Sequence, residues 1–101
     1  MAIVEISVIP IGTKTPSLSR YVAGAVSVLK NEKDIKYELT AMGTIIEGDL
    51  ERLLPLVGRM HSSAFEAGVM RVVTAVKIDE RRDKASGIQS KVVSVRGKLE
   101  Q

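Results

Sequence analysis

The stretch AMGTIIEGDLERLL, residues 41–54, decides the fold because a turn, a strand and a helix start follow one another in it. Gly43 stands between two apolar runs, at the position where a tight hairpin turn is expected. The letters TIIEG predict a strand, and Asp49 is a suitable N-cap for the helical pattern that begins after it. The stretch therefore predicts a β-hairpin whose second strand leads directly into a helix.

The first segment, AIVEISVIPIG, predicts a strand because β-branched residues alternate along it and Pro10 and Gly12 stand at its end. One of its faces is entirely apolar: Val4, Ile6 and Val8. The other face mixes apolar and polar residues: Ile3, Glu5, Ser7 and Ile9. One of these two sets is expected to point toward the helices and the other away from them.

Two helices and two further strands complete the pattern. A helical pattern follows the loop GTKTPS; Ser17 is its expected N-cap, and it continues through Lys30. IKYELTAM predicts the second strand and VMRVVTAVKID the fourth. Gly68 is expected to end the second helix. That helix is expected to bury one apolar stripe: Leu50, Leu53, Leu54, Val57, Met60, Ala64 and Phe65.

The elements follow the order strand, helix, strand, strand, helix, strand, helix, and the first six form the ferredoxin-like βαββαβ arrangement. Right-handed crossovers place both long helices on one face of a four-stranded antiparallel sheet. A last short helix is predicted from apolar residues at helical spacing: Ile88, Val92, Val95 and Leu99. The predicted fold class is therefore α+β, and residues 1–101 are expected to form a single domain.

The sheet face away from the helices is expected to remain partly apolar. Strands one and four supply candidates for it, either Ile3 and Ile9 or Val73 and Ala75. Soluble monomers usually avoid such an exposed patch, so we expect sheets from two subunits to meet face to face. The narrow apolar seam of the last helix suits a neighbouring subunit, or the helix folds back on its own sheet.

Composition excludes several kinds of protein. The chain has no cysteine, which rules out disulfides, thiolate metal sites and a cysteine nucleophile. The first ten residues lack a basic region and include Glu5, so they do not form a signal peptide, and no apolar run is long enough to span a bilayer. A formal charge of +3 tolerates anionic partners without specifying one. We therefore expect a cytoplasmic protein that does not associate with membranes.

Catalytic and RNA-binding signals are weak. His61 is the only histidine, so no second histidine or cysteine is available to complete a metal site or a catalytic triad. Its spacing from Val57 and Phe65 places it at the edge of the apolar stripe. Strands one and three contain no aromatic residue on which bases would stack. The chain is therefore expected to be neither an enzyme nor a nucleic-acid-binding protein.

Two polar segments each allow two interpretations. The loop PIGTKTPS lacks a P-loop triplet; it is a connection with a capping serine, or its hydroxyl and N–H groups bind an anion. The run DERRDK, residues 79–84 with Arg81 and Arg82, is a solvated loop with local ion pairs, or it contacts another subunit or a phosphate. Both segments suit an oligomeric structural or regulatory module that binds an anion or a protein.

Strand three carries the strongest candidates for a binding site. Thr44 beside Gly43 allows a hydroxyl and the backbone to approach a bound molecule closely. If Ile45 faces the helices, Glu47 lies near the start of helix two, where the helix dipole favours its charge. Glu47 is then a capping carboxylate, or it orients a ligand.

Five segments together resemble the small thiamine-binding protein family: VIPIGTKTPSLSRYV, YELTAMGTIIEGD, the histidine of helix two, GVMRVVTAVKIDERRD and the short basic tail. The resemblance extends over nearly the whole chain. It implies a ferredoxin-like fold, sheet-to-sheet dimers and commonly a tetramer, a dimer of dimers. It also implies binding of thiamine, or of its hydroxymethylpyrimidine part, rather than catalysis.

The residues available for such a ligand follow from its chemistry, a flat aminopyrimidine joined to a cationic ring. We expect no cofactor and no metal. Thr44 and the backbone of Met42 and Gly43 are candidates for the ring edge, and Ser17 and Ser19 for a polar rim. Glu47 or Glu5 is the candidate negative charge, and Tyr21 or Tyr37 the candidate cation–π partner.

Overall fold

A computed structural model of the protein describes residues 1–85 and 87–101. The elements are β1 (Ala2–Ile11), α1 (Ser19–Ser27), β2 (Lys36–Leu39), β3 (Thr44–Gly48), α2 (Leu50–Glu66), β4 (Arg71–Glu80) and α3 (Ile88–Leu99). The strands form one antiparallel sheet in the order β2-β3-β1-β4. This confirms the predicted α+β, ferredoxin-like arrangement with an additional C-terminal helix.

The core lies between the sheet and the helices α1 and α2, on what we call the inner face. Val4, Ile6 and Val8 of β1 are buried there, because β1 is a central strand that pairs with β3 on one side and β4 on the other. Residues that pair across strands share a face, so Ile46 and Thr44 are inner-face residues as well.

The first helix begins later and ends earlier than predicted. It begins at Ser19 with Leu18 at the N-cap, so the assignment of Ser17 as the N-cap was wrong. The backbone N–H of Ser17 donates instead to Thr15 Oγ1 at 2.9 Å, which holds Ser17 in the preceding turn. After Ser27 the backbone bonds span three residues rather than four, so the chain tightens into a turn before the predicted end at residue 30.

The second helix begins after Asp49, the predicted N-cap, and Gly68 takes a left-handed φ of +98° just beyond its end, as expected. The predicted stripe was wrong at two positions, because Leu54 and Phe65 are 46% and 43% exposed. The helix turns a row of four side chains toward the sheet: Leu53, Leu56, Met60 and Ala64. Leu54 lies beside this row rather than in it.

The turn between β2 and β3 begins earlier than predicted, because β2 ends at Leu39 rather than at Met42 and residues 40–43 form the turn. Thr40 closes this turn, with its Oγ1 donating to the carbonyl of Gly43 at 2.7 Å. Gly43 lies against β1, and a Cβ atom there would stand 2.9 Å from the carbonyl oxygen of Ile6. The predicted turn at Gly43 is thus confirmed, and the glycine is required by close packing.

The other side of the sheet, which we call the outer face, is partly apolar and is uncovered except where the first turn of α3 meets it. Both predicted pairs lie there: Ile9 is paired with Val73, Ser7 is paired with Ala75, and Ile3 is half-buried. Ile9 and Val73 are 40% and 46% exposed. The expectation of an apolar patch away from the helices is therefore confirmed.

The C-terminal helix α3 projects from the body. None of its residues is buried, and the side chains from residue 89 onward are exposed. The radius of gyration is 15.0 Å, above the roughly 13 Å typical of a compact chain of about 100 residues. The alternative that α3 folds back along its own sheet is wrong beyond its first turn.

Candidate functional site

A cleft of about 810 Å³ opens between α1 and the β2–β3 hairpin, and we call it the α1–hairpin cleft. It exists because α1 ends at Ser27 and β2 ends at Leu39, which is 59% exposed, so the space over this corner of the sheet is not filled. Its lining is largely apolar: Ile6, Val8, Leu18, Val22, Val26 and Leu39. A cleft of this size and character is typical of sites for small organic molecules.

Thr44 is the buried polar residue of this cleft. It is 3% exposed, and it lies on the inner face opposite Ile6. Within the described part of the chain its hydroxyl has no hydrogen-bond partner, yet it is not sealed away from solvent. The Thr44 hydroxyl is therefore available to a molecule that enters the cleft.

The hairpin turn at the mouth of the cleft is fixed by hydrogen bonds. The Thr40 hydroxyl accepts the N–H groups of Gly43 and Met42 at 3.2 and 3.3 Å, in addition to its own bond to the Gly43 carbonyl. The Ser7 hydroxyl of β1 donates to the Met42 carbonyl at 2.9 Å. These bonds hold the turn against β1, while Met42 remains 83% exposed.

Charge is sparse in the cleft. Among the described residues that line it, Lys30 carries the only full charge, and no aspartate or glutamate lines it. Apart from Lys30, the polar side chains that line the cleft are hydroxyls like that of Thr44. The Ser27 hydroxyl already donates to the Gly24 carbonyl at 2.7 Å. The cleft thus offers apolar surface, a few neutral hydrogen-bonding groups and one ammonium at its edge.

The structure brings together four of the predicted ligand residues in this cleft, namely Met42, Gly43, Thr44 and Ser19. The other predicted residues lie elsewhere in the subunit. Glu5 is exposed on the outer face, paired with Lys77 of β4.

Ser17 and Tyr21 line a separate hollow of about 710 Å³ between the β1–α1 loop and the α2–β4 turn. Its hydroxyls are largely satisfied internally, because Thr13 donates to the Thr15 carbonyl at 2.7 Å and Thr15 accepts the N–H of Ser17. The guanidinium of Arg20 lies 5.4 Å from the centre of the Tyr21 ring. The ring face of Tyr21 is therefore already occupied by a cation of the protein itself.

Tyr37 and Glu47 line a third hollow, of about 450 Å³, beside the start of α3. Glu47 is 6% exposed, and its pairing with Ile3 places it on the outer face together with Ile45. Its Oε1 accepts the backbone N–H of Ile88 at 2.7 Å. The placement of Glu47 near the start of helix two required Ile45 to face the helices; Ile45 lies on the outer face, and the Glu47 carboxylate caps the third helix instead.

Gly87 makes that cap possible. A Cβ atom on Gly87 would stand 1.8 Å from Oε1 of Glu47, so the carboxylate could not keep this position beside a larger residue. Sequence reasoning missed this pair because nothing in the local pattern connects residues forty positions apart. It also missed Lys30, Ser7 and Thr40 as cleft residues. The sequence offered one signal for these two residues: Ser7 is a polar residue within a strand, and Thr40 is a polar residue just before a turn.

His61 serves the packing of α2 on the sheet. Its Nδ1 lies 2.6 Å from Thr74 Oγ1, and its ring meets Phe65 edge-on with centroids 5.5 Å apart. In residues 1–85 and 87–101 no group of histidine, aspartate and glutamate residues is placed to hold a metal ion. None of the helices in those residues is long and apolar enough to cross a bilayer.

The run of charges at residues 79–84 forms local ion pairs, as one of its two interpretations predicted. Arg81 binds Asp83, and Arg82 lies 3.4 Å from Glu80. The hydrogen bond from Arg81 lowers the pKa of the Asp83 carboxyl. These arginines therefore already have acidic partners within the loop.

Comparison with known proteins identifies the family. The family described as "Thiamine-binding protein" matches residues 4–96. A UPF0045 protein of Bacillus subtilis, YqgV, is 45% identical over 103 residues, with 99% of each chain covered. A UPF0045 protein of Methanothermobacter thermautotrophicus is 45% identical over 100 residues, with 98% of this chain and all of its own covered. The crystal structure of MJ1052 from Methanocaldococcus jannaschii superposes with a TM-score of 0.85 at 42% identity, covering 93% of this chain and 94% of that one. The chain belongs to the thiamine-binding protein family.

Proposed function

We propose that the protein binds thiamine or its hydroxymethylpyrimidine moiety non-covalently in the α1–hairpin cleft, and that it does so without catalysing a reaction. The observation that carries this proposal is Thr44, a residue 97% buried whose hydroxyl has no partner among the described residues and faces an apolar cleft. The family described as thiamine-binding supplies the class of ligand.

The cleft suits the pyrimidine end of such a ligand. A flat aromatic ring gains most by lying between apolar walls, which α1 and the sheet provide, while its nitrogen-bearing edge needs a hydrogen-bonding group. The Thr44 hydroxyl both donates and accepts, so it pairs with a ring nitrogen or an amino group. The hydroxyl of Ser19 lies at the rim, and the Met42 side chain can cover the bound ring.

The polar groups of the cleft support binding rather than catalysis. They are hydroxyls and one lysine, and the single histidine lies outside the cleft, hydrogen-bonded to Thr74. A nucleophile activated by an adjacent base needs the two side chains within hydrogen-bond reach of each other. Such a pair does not occur among the described residues of the cleft.

Calorimetry with the wild type and two matched variants tests the proposal. Thr44→Val keeps the shape of the side chain and removes its hydroxyl, so we expect it to weaken binding about 10-fold, the effect of roughly 1.4 kcal/mol. Thr13→Val makes the same chemical change in the separate hollow, where it should leave affinity unaltered. Absence of heat and of a thermal shift with either compound at millimolar concentration rejects the proposal.

We also propose that the protein works as an oligomer in which outer faces of two subunits pack together. Ile9, Ile11 and Val73 leave an apolar surface in water in the single subunit. The helix α3 presents a second apolar surface, on which Val95 and Leu99 are 59% and 78% exposed. Isolated helices of about 12 residues are marginal in water, so α3 needs a partner surface to remain helical.

A further apolar surface supports a dimer of dimers. Val76 and Ile78 point to the inner face of the edge strand β4, yet they are 42% and 46% exposed because α2 does not reach them. They form an apolar surface distinct from the outer face, and Leu54 of α2 is also 46% exposed. Sedimentation velocity at micromolar concentration measures the assembly, and a folded monomer that persists there contradicts this part of the proposal.

A further inference from the structure

We propose that the backbone of Val8, on an unpaired edge of β1, binds the amino group and the adjacent ring nitrogen of a 4-aminopyrimidine in the α1–hairpin cleft. The inference rests on the proposed function, because it concerns the same cleft and the same ring. It makes main-chain groups, rather than side chains, responsible for selecting an aminopyrimidine over an oxopyrimidine.

The first step is a gap in the sheet beside β1. All ten residues of β1 pair with β4, but only residues 2–6 pair with β3. The gap begins beyond the pair of Ile6 and Thr44, where β3 gives way to the hairpin turn. From residue 7 to residue 11, β1 therefore has no neighbouring strand on that side.

The second step is the direction of the backbone groups along this edge. In an antiparallel sheet, the N–H and C=O groups of one residue point to the same neighbouring strand, and those of the next residue point to the other strand. The Gly43 carbonyl accepts the N–H of Thr40 at 2.9 Å, so Gly43 points to the β2 side and Thr44 points to β1. Ile6, the partner of Thr44, therefore points to β3. Val8 lies two residues further along the same unbroken register, so its N–H and C=O point into the gap.

Two further observations agree with this direction. A Cβ atom on Gly43 would stand 2.9 Å from the carbonyl oxygen of Ile6, which places that oxygen on the β3 side. Pro10 follows Val8 by two residues, and a proline occurs within a strand where its nitrogen faces no partner. The turn and loop hydrogen bonds of the described residues likewise include none to the backbone of Val8. Val8 is therefore the residue whose N–H and C=O are both unpaired along this edge.

The third step is the position of this edge in the cleft. Residues 6–9 of β1 all line the cleft although their side chains alternate between the two faces, so the cleft reaches the edge of the strand itself. Val8 is a diagonal neighbour of Thr44, and such neighbours lie about 7–8 Å apart. That separation suits one six-membered ring that forms a hydrogen bond on each side.

The fourth step is the match between the edge and the ring. The amino group is a donor and the adjacent ring nitrogen an acceptor, so they pair with the C=O and the N–H of Val8. The other ring nitrogen, opposite the amino group, then lies on the side of Thr44, whose hydroxyl donates to it. A 4-oxopyrimidine inverts the pattern, because it presents a carbonyl acceptor and a ring N–H donor. Both main-chain groups would then face groups of their own kind, and a site built for hydrogen bonds strongly rejects such an analogue.

Calorimetry with three probes tests this selectivity: hydroxymethylpyrimidine, its analogue without the amino group, and its 4-oxo analogue. We expect the analogue without the amino group to bind about 10-fold more weakly than the parent, because the Val8 carbonyl loses its donor. The 4-oxo analogue should bind about 100-fold more weakly, because both pairings are lost. Thr44→Val should leave the first ratio unchanged, since it alters the opposite side of the ring.

Amide hydrogen exchange measures Val8 directly and needs no variant in β1. In the free protein we expect the Val8 amide to exchange about 100-fold faster than those of Ile6 and Ile9, which donate to β3 and β4. Hydroxymethylpyrimidine should slow exchange at Val8 by about 10-fold relative to these two amides.

The possible failures are distinguishable. Either analogue binding as tightly as hydroxymethylpyrimidine, or a Val8 amide that remains unprotected while the parent compound is bound, overturns the inference and leaves the proposed function standing. A Val8 amide as well protected as that of Ile6 in the free protein also overturns it, because the edge would then already be paired. If none of the pyrimidines binds, both the inference and the proposed function fail.

Discussion

The contact between Glu47 and Gly87 gives the sharpest prediction about this structure. Replacing Gly87 with alanine adds a Cβ atom 1.8 Å from the Glu47 oxygen that accepts the Ile88 N–H. The two atoms cannot occupy these positions together, so the carboxylate has to move, and we expect its hydrogen bond to α3 to be lost. Gly87 has a φ of −138°, an extended value that alanine adopts without strain. The backbone itself therefore gives no reason for destabilisation, and any loss comes from the displaced carboxylate.

The size of the effect follows from what is lost. A hydrogen bond to a charged group contributes about 1.5–3 kcal/mol, and Glu47 as a residue is 6% exposed, so water does not easily replace the bond. Gly97→Ala in the same helix is the matched control, because it is expected to raise stability rather than lower it. A Cβ atom there meets no atom within 4 Å, and replacing an interior helical glycine with alanine stabilises the helix by about 0.5–1 kcal/mol.

Amide hydrogen exchange, with a urea titration beside it, separates these effects. We expect Gly87→Ala to raise the exchange rate at Ile88 and through α3 by about 10- to 100-fold while the amides of β1 remain protected. Gly97→Ala should slow exchange in the same helix. Equal protection of Ile88 in Gly87→Ala and wild type, with stability unchanged within about 0.5 kcal/mol, would refute the argument that Glu47 holds α3.

Three further predictions concern other parts of the chain. Hydrogen bonds from Arg52 and Arg59 lower the pKa of the Glu32 carboxyl, so its stabilising contribution is complete above the unfolded pKa of about 4.3 and is lost as the pH falls through the folded pKa. Glu32→Gln should therefore melt below the wild type at pH 7, and the two melting curves should converge in acid. Gly43→Ala should destabilise the hairpin by about 1–2 kcal/mol in urea, because the new Cβ would stand 2.9 Å from β1 atoms. Val73→Glu should shift sedimentation toward smaller species without unfolding the subunit, and an unchanged sedimentation coefficient would exclude Val73 from the interface.

The fold followed from local patterns, and the reason is visible at β1 and the hairpin. Alternation along β1 is a strong signal because one of its faces is entirely buried, and the glycine turn before β3 fixes where the hairpin reverses. The end of α1 was less accessible to sequence reasoning. Thr15 engages the N–H of Ser17 and removes Ser17 from the cap, a competition between two hydroxyl residues that the sequence pattern does not resolve.

The site was predictable only in part, because it depends on which face each residue takes. Thr44 was identified from its place beside Gly43, and both line the cleft. Glu47 was placed near the wrong helix because the register of β3 on β1, which sets its face, is not encoded in the alternation of β3 alone. Lys30 was missed because its place at the cleft depends on where α1 stops, and helix ends are the least certain feature of a sequence pattern.

A crystal structure of the protein grown with hydroxymethylpyrimidine is the decisive test of binding in the α1–hairpin cleft. We expect a flat ring between α1 and the β2–β3 hairpin, with a ring nitrogen or the amino group about 3 Å from the Thr44 hydroxyl. A ligand found instead in the hollow beside Ser17 and Tyr21, or on the outer face near Glu5, with the cleft at Thr44 empty, would contradict it.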